Sequence, residues 1–416
     1  MKIFKFGGAS VKDAEGVKNV VKVLQTTGSK NMVAVVSAMG KTTNALEVVV
    51  NDYLSSSDFS NSLQFVKEYH QEILEGLFEN QQAPVYAKVK DLFRELENFL
   101  KHNRSEKYDF VYDQVVCYGE LISTRIVSEY LQENGIKNEW KDARQLIKTD
   151  STYRDARVDW DETQELITRE INRTALTITQ GFIGADSNNF TTTLGREGSD
   201  YTAAIFAYCL DAHDVTIWKD VPGVLNGDPR VFENTRLLDQ ISYEEAIELA
   251  FFGASVIHPK TLQPLQRKEI PLFVRSFINP ENPGTAVSKG HKIQPLIPCF
   301  IVKKDQVLIS LSSLDFSFMV EENISEIFRL FAKYQMKVDL IQNSAISFSV
   351  CVDNKFNNLE KLINHLKARF KVEFINGVSL YTVRHFDTFA LADLEKDREV
   401  LLKQVTKETV QIVARA

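Results

Sequence analysis

The 416-residue chain has only four cysteines, Cys117, Cys209, Cys299 and Cys351, and no two of them form a CxxC pair. Cysteines so few and so widely spaced exclude a dense disulfide framework and fit reduced thiols. No apolar run approaches the roughly 20 residues of a membrane-spanning helix. The opening "MKIFKFGG" reaches its glycines before a signal-peptide core can form, so a cytoplasmic protein is expected. The seven histidines show neither H-x3-H nor HExxH spacing, which argues against a protein-built zinc site. A formal net charge of -7, with no basic tail or stripe, disfavours a nucleic-acid partner. Hydrophobic residues at 44% and charged residues at 25% are ordinary globular values, and the length leaves room for two or three domains.

The apolar, β-branched runs 2–6 and 32–37 flank the helical stretch "DAEGVKNVVKVLQTT". This βαβ opening implies a parallel sheet with right-handed crossovers. Residues 43–134 carry mostly helical periodicity, clearest where Phe110, Val111, Val115, Leu121, Ile122, Ile126 and Leu131 make one apolar face before Gly135. Strand-like runs return in "TALTITQGFIG", "DVTIWKDV" and "IPLFVRSFI", with helices in "REGSDYTAAIFAYCLDA" and on either side of a break in "SYEEAIELAFFGASVIHPKTLQPL". After the proline-bearing "IQPLIPCF" the order becomes βαββαβ over 301–376, the ferredoxin-like pattern. A strand, a helix and a terminal strand follow Gly377. The expected organisation is an α/β domain over 1–290 (about 45–135 mostly helical), a linker over 291–300, and α+β modules over 301–376 and 377–416.

"VVSAMGKTT" ends like a phosphate-binding P-loop, but the position five residues before Gly40 is Val35, not the glycine that loop requires. The first strand instead runs into "KFGGAS", where Gly7 and Gly8 let backbone N–H groups approach an anion and Lys5 suggests that the anion is a phosphate. Further motifs follow in order: "VSAMGKTTN", "CYGE" within a helix, "LGREGSDYTAA" at a strand-to-helix turn, "WKDVPGVLNGDPR" after the next strand, and "FGASVIHP". Strand C-termini in a parallel sheet face the binding crevice, which gives these loops one common edge.

This ordered set resembles the aspartate kinases of the amino acid kinase (carbamate kinase-like) fold, over almost the whole chain, and the C-terminal modules resemble the ACT regulatory domains of that family. The resemblance implies ATP-dependent phosphorylation of the side-chain carboxylate of L-aspartate, with Mg2+ held largely by the phosphates. Lys5 then matches the lysine on the transferring phosphoryl group, and Asp200 the aspartate that orients it. Gly7, Gly8 and Ser10 match the phosphate loop. Arg196 matches the grip on the substrate's α-carboxylate, a task suited to guanidinium geometry. Glu120 matches the acid for the α-ammonium, and Ser37, Thr43 and Ser199 match smaller polar contacts. Asp220, Asp228 and Arg230 fall at nucleotide positions.

The lesser readings by residue type are a solvated strand-end cation for Lys5, a helix N-cap for Asp200 or Ser199, and a surface ion-pair partner for Glu120.

The chain departs from the family pattern at several nucleotide-side positions. It has Ala9 for Thr or Ser, Glu197 for Gly or Asn, Lys219 for Thr or Ser, Leu225 for Tyr, and Ser255 for Lys. Lys219 is a new cation in a chain that lacks the one at 255, and a replacement for it near the ATP phosphates is expected; the other reading is a solvent-facing side chain. In the ACT-like region, "SLDFSFMVEEN" and "KVDLIQNSAIS" fall where relatives bind an amino-acid effector. Asp339 and Ser344 are the expected contacts for lysine or threonine, and such modules imply a homodimer or homotetramer. No dinucleotide-binding glycine pattern follows, so a monofunctional enzyme is expected. The competing readings are a kinase of the same fold acting on glutamate, acetylglutamate or a nucleoside monophosphate, and a catalytically weak effector-binding subunit.

Overall fold

The computed structural model describes residues 1–254, 257–315, 317–396 and 398–415. The chain forms two compact units: Met1–Val224, Leu237–Ile247 and Val256–Gln294 make the first, and Leu225–Arg236, Glu248–Ser255 and Pro295–Ala416 the second.

The elements run in order β1 (Lys2–Phe6), α1 (Ala14–Thr27), β2 (Met32–Val36), α2 (Thr42–Leu54), α3 (Ser60–Leu77), α4 (Pro84–His102), α5 (Tyr108–Glu133), β3 (Glu139–Lys141), α6 (Trp160–Glu170), β4 (Leu176–Gln180), β5 (Ile183–Ala185), β6 (Thr191–Thr193), α7 (Gly198–Leu210), β7 (Asp214–Lys219), β8 (Gln240–Ser242), α8 (Tyr243–Phe252), α9 (Pro259–Lys268), β9 (Leu272–Ser276) and β10 (Thr285–Ser288). The first unit is built on an eight-stranded sheet of order β3-β4-β2-β1-β7-β9-β10-β8, in which only the β9–β10 pair is antiparallel. β2 and β4 are buried along their whole length, the run of apolar and β-branched residues expected of strands covered on both faces.

α5 shows why helical periodicity is hard to read deep in a core. Of the predicted face, Val111, Val115, Leu121, Ile122, Ile126 and Leu131 are buried and Phe110 is half-buried, but Asp113, Gln114, Gly119, Glu120, Ser123 and Ser128 around the rest of the helix are buried too. The polar ones are held individually. Asp113 accepts from Arg154 N at 3.0 Å, Thr193 N at 2.8 Å and Thr193 Oγ1 at 2.8 Å, and burial still pushes its carboxyl up to about 6.

The second unit carries β11 (Cys299–Ser313), α10 (Glu321–Lys333), β12 (Lys337–Asn343), β13 (Ser347–Asp353), α11 (Leu359–Leu366), β14 (Phe370–Arg384), α12 (Thr388–Glu395), β15 (Glu399–Val405) and β16 (Thr409–Arg415). Its six strands follow the order β12-β13-β11-β14-β16-β15, all antiparallel. The βαββαβ order read from the sequence is present as β11 to β14. "KVEFI" and "VSLYTVRH" are two halves of the single strand β14, and a further strand, β15, precedes the last.

Candidate active site

β1 lies between β2 and β7, parallel to both, with Lys5 opposite Val35 and Ile217. The loops after these three strands therefore leave one edge of the sheet together. Lys5 is not a solvated strand-end cation: its Nζ stands 2.6 Å from Asp200 Oδ1, and the two side chains are 11% and 3% exposed. A second ammonium, that of Lys219 at the end of β7, lies 3.9 Å from the other carboxylate oxygen of Asp200. Two cations thus converge on one buried carboxylate.

The glycine pair is shaped by close approach. A Cβ on Gly8 would stand 2.8 Å from Ala38 O and 3.0 Å from Gly40 O, while Gly8 O accepts a hydrogen bond from Gly40 N at 3.0 Å. A Cβ on Gly7 would meet Lys5 Nζ at 3.3 Å. Ser10 is buried in the short helical turn that follows, and its hydroxyl donates to Trp218 O at 3.4 Å, tying this loop to the strand that ends in Lys219.

α7 starts at Gly198, after Glu197 in the left-handed region (φ 52°). Ser199 and Asp200 therefore stand in the first helical turn, and neither is the N-cap that the sequence allowed. A carboxylate there is favoured by the partial positive charge of the helix start. Left-handed backbone suits the Gly or Asn of the family pattern better than a glutamate, and Glu197 Oε2 is buried without a hydrogen-bond partner. Ser199 packs against Gly181, where an added Cβ would come within 2.5 Å of its hydroxyl. Arg196 is exposed on the turn leading into the helix.

Glu120, fully buried in α5, is no surface ion-pair partner. Its Oε1 accepts from Ala38 N at 3.4 Å, and its Oε2 is buried with no partner. Burial pushes the carboxyl up to about 8. Gly119 brings α5 against the loop after β2, since a Cβ there would sit 3.1 Å from Ala38 Cβ. In that loop Ser37 N donates to Phe6 O at 3.1 Å, and Ser123 Oγ donates to Ser37 O at 2.7 Å. Thr43 is half-buried in the first turn of α2.

Asp220 is exposed just after β7. Asp228 and Arg230 belong to the second unit and pair with each other at 2.8 Å. Position 255 lies outside the described residues. In the second unit Asp339 is already engaged by Lys303 at 2.7 Å and Lys337 at 3.2 Å, whereas Ser344 is exposed in the turn between β12 and β13. Sequence reasoning missed Lys260, whose ammonium reaches Asp155 at 2.7 Å and Leu194 O at 2.9 Å. Its only signal was a cation two places after His258, at the start of a helix, where the helix dipole disfavours it. Among the described residues no group of three or more His, Cys, Asp or Glu is arranged to hold a metal, and no helix is long and apolar enough to cross a membrane.

Residues 1–276 match the model of the amino acid kinase family. The chain is 32% identical over 390 residues to lysine-sensitive aspartokinase 3 of Escherichia coli (strain K12), covering 91% of this chain and 85% of that protein. Two solved structures of E. coli aspartokinase III are similar to it. The complex with lysine and aspartate gives a TM-score of 0.82 at 29% identity, covering 99% of this chain and 95% of that one. The complex with aspartate and ADP gives 0.81 at 28% identity, covering 100% and 96%. With the buried lysine–aspartate pair at the edge of a parallel sheet and this likeness along nearly its full length, the chain belongs to the amino acid kinase family and, within it, to the aspartokinases.

Proposed function

We propose that Lys5, held by Asp200, is the cation on the transferring phosphoryl group in the aspartokinase reaction. In that reaction ATP phosphorylates the side-chain carboxylate of L-aspartate, giving 4-phospho-L-aspartate, the first step towards lysine, threonine and methionine. The buried Lys5–Asp200 pair carries this reading. A carboxylate oxygen of aspartate attacks the γ-phosphorus as the bond to the ADP oxygen breaks. Such a transfer needs positioning and charge neutralisation more than covalent help. Asp200 holds the Lys5 ammonium in place beside Gly7, and the N–H groups of Gly7 and Gly8 face the same anion. Lys219, on the far side of Asp200, is the second cation of the phosphate site and takes the role of the lysine absent at 255. Mg2+ fits a site of this kind as a phosphate-held ion, because both oxygens of Asp200 already face ammonium groups. Its part is to neutralise phosphate charge.

Substrate selection falls to two oppositely charged groups. The unpartnered Oε2 of Glu120 receives the α-ammonium, and exposed Arg196 receives the α-carboxylate. Ser37, Thr43 and Ser199 add polar contacts, and Ser10 shapes the phosphate loop. Asp220, Asp228 and Arg230 serve the nucleotide. An amino-acid effector, lysine or threonine, binds the second unit near Asp339 and Ser344, and its ammonium must displace Lys303 to reach Asp339. The second unit pairs with a second copy, making a homodimer or homotetramer. A reducing, cytoplasmic setting suits the four cysteines, which are all buried.

The test is hydroxylamine trapping of the acyl phosphate with ATP, magnesium and L-aspartate, run beside L-glutamate. Aspartyl hydroxamate is expected from aspartate alone, and Lys5→Ala lowers its rate by about 10³-fold. Equal product from the variant overturns the role of Lys5, and product from glutamate overturns the substrate assignment.

A further inference from the structure

The turn that bears Arg196 is held from the side by a residue distant in sequence. Lys260 is the second residue of α9, where the positive end of the helix dipole opposes a cation. Its backbone N–H is taken by the His258 side chain at 3.2 Å. Its ammonium makes an ion pair with Asp155 Oδ1 at 2.7 Å, donates to Leu194 O at 2.9 Å, and lies 5.1 Å from the centre of the Tyr201 ring. Leu194 is fully buried and immediately precedes the Gly195–Arg196–Glu197 turn.

Asp155, whose side chain is largely exposed, lies against the same turn. Gly195 has φ +78°, and a Cβ there would stand 2.4 Å from Asp155 Oδ1, so only glycine lets this carboxylate close over the turn. Next to it, Ala156 N donates to Thr193 O at 2.9 Å. Lys260 thus joins three pieces of backbone: the start of α9, the loop carrying Asp155, and the last buried residue before Arg196. Arg196 is exposed, so its direction depends on this backbone.

We infer that Lys260 is a positioning residue for substrate binding, acting through Arg196 by anchoring the carbonyl that opens its turn. The inference rests on the reading of Arg196 as the α-carboxylate contact. Removing the ammonium leaves the Leu194 carbonyl without this donor and Asp155 without its cation, and the turn is then free to shift. Arg196 meets substrate only through the aspartate side of the site, so the cost falls on aspartate and spares ATP.

The experiment is steady-state kinetics of Lys260→Met, Arg196→Ala and the double variant, with both substrates varied and thermal melting as a check on folding. Lys260→Met is expected to raise the aspartate KM about tenfold with kcat and the ATP KM little changed. In the Arg196→Ala background it should add nothing, because the residue it acts through is gone. Lys260→Arg, which keeps the charge and the donors, should recover most of the loss. If Lys260→Met does not fold, Lys260→Ala, which also removes the donor to Leu194 O, carries the same comparison. The inference is overturned if the aspartate KM is unchanged, if both KM values rise together, or if the full effect recurs in the Arg196→Ala background. An unchanged aspartate KM in Arg196→Ala itself removes the premise, whereas a raised one beside a normal Lys260→Met removes only the role of Lys260.

Discussion

Glu120 should make aspartate binding depend on pH in a defined direction. Its carboxyl is pushed from 4.5 to about 8 by burial in α5, and the hydrogen bond from Ala38 N to Oε1 leaves Oε2 without a partner. At 1.36 kcal/mol per pH unit, ionising it in the empty site costs about 5 kcal/mol more than ionising a free carboxyl. The substrate ammonium offsets that cost, so only the ionised form binds aspartate well. Below pH 8 most of the free enzyme carries Glu120 protonated. The kcat/KM for aspartate should therefore rise close to tenfold per pH unit well below pH 8, about fivefold over the last unit, and then level off. Glu120→Gln removes the titrating group: the rise disappears and the aspartate KM increases roughly 10²-fold, the cost of leaving a charge without its buried partner.

Stability carries the opposite sign. A carboxyl raised in the folded state is protonated there while its unfolded counterpart is ionised. Its contribution to stability is fully present below pH 4.5 and is lost as pH climbs towards 8. Without substrate, Glu120→Gln should therefore unfold at higher denaturant than the parent at pH 8.5, by an amount that vanishes near pH 4.5. A flat wild-type profile between pH 6.5 and 8.5, or an unaltered one in the variant, refutes the reasoning about burial.

Two further outcomes rest on the phosphate loops. Gly8→Ala places a Cβ 2.8 Å from Ala38 O, and separating the two loops should lower kcat/KM for ATP by about 10²-fold, with a lower melting temperature. Lys219→Met should raise the ATP KM roughly tenfold and leave the aspartate KM unchanged, as two-substrate kinetics would show; unchanged ATP parameters would make Lys219 a structural partner of Asp200 only.

Much of the site was legible because its residues follow short strands of one parallel sheet. Lys5 lies near the end of such a run and Gly7 and Gly8 directly after it, and the "GREGSD" turn opens a helix. Features set by partners distant in sequence were not legible. The threonines of β6 carry no local signal for burial, which comes from their bonds to Asp113 and Thr149. Gly377 reads as a break between modules, but at φ +68° it lies within β14, beside the register irregularity facing Gln306–Leu308. Glu197 defeats any propensity argument, since its left-handed conformation is imposed by the turn. Lys260 carried no motif at all, because its meaning lies in the Leu194 carbonyl it reaches.

A strand at the centre of the sheet is made long before one of its two neighbours. Ser10 and Trp218, joined by a hydrogen bond, are 208 residues apart. At ribosomal speeds of about 5–20 residues per second, β1 waits roughly 10–40 s for β7 to arrive. In that interval Lys5 has no Asp200, and Phe4 and Phe6 have no Trp218 to cover them. The nascent chain therefore carries an apolar strand edge until β7 is made, about halfway along these 416 residues.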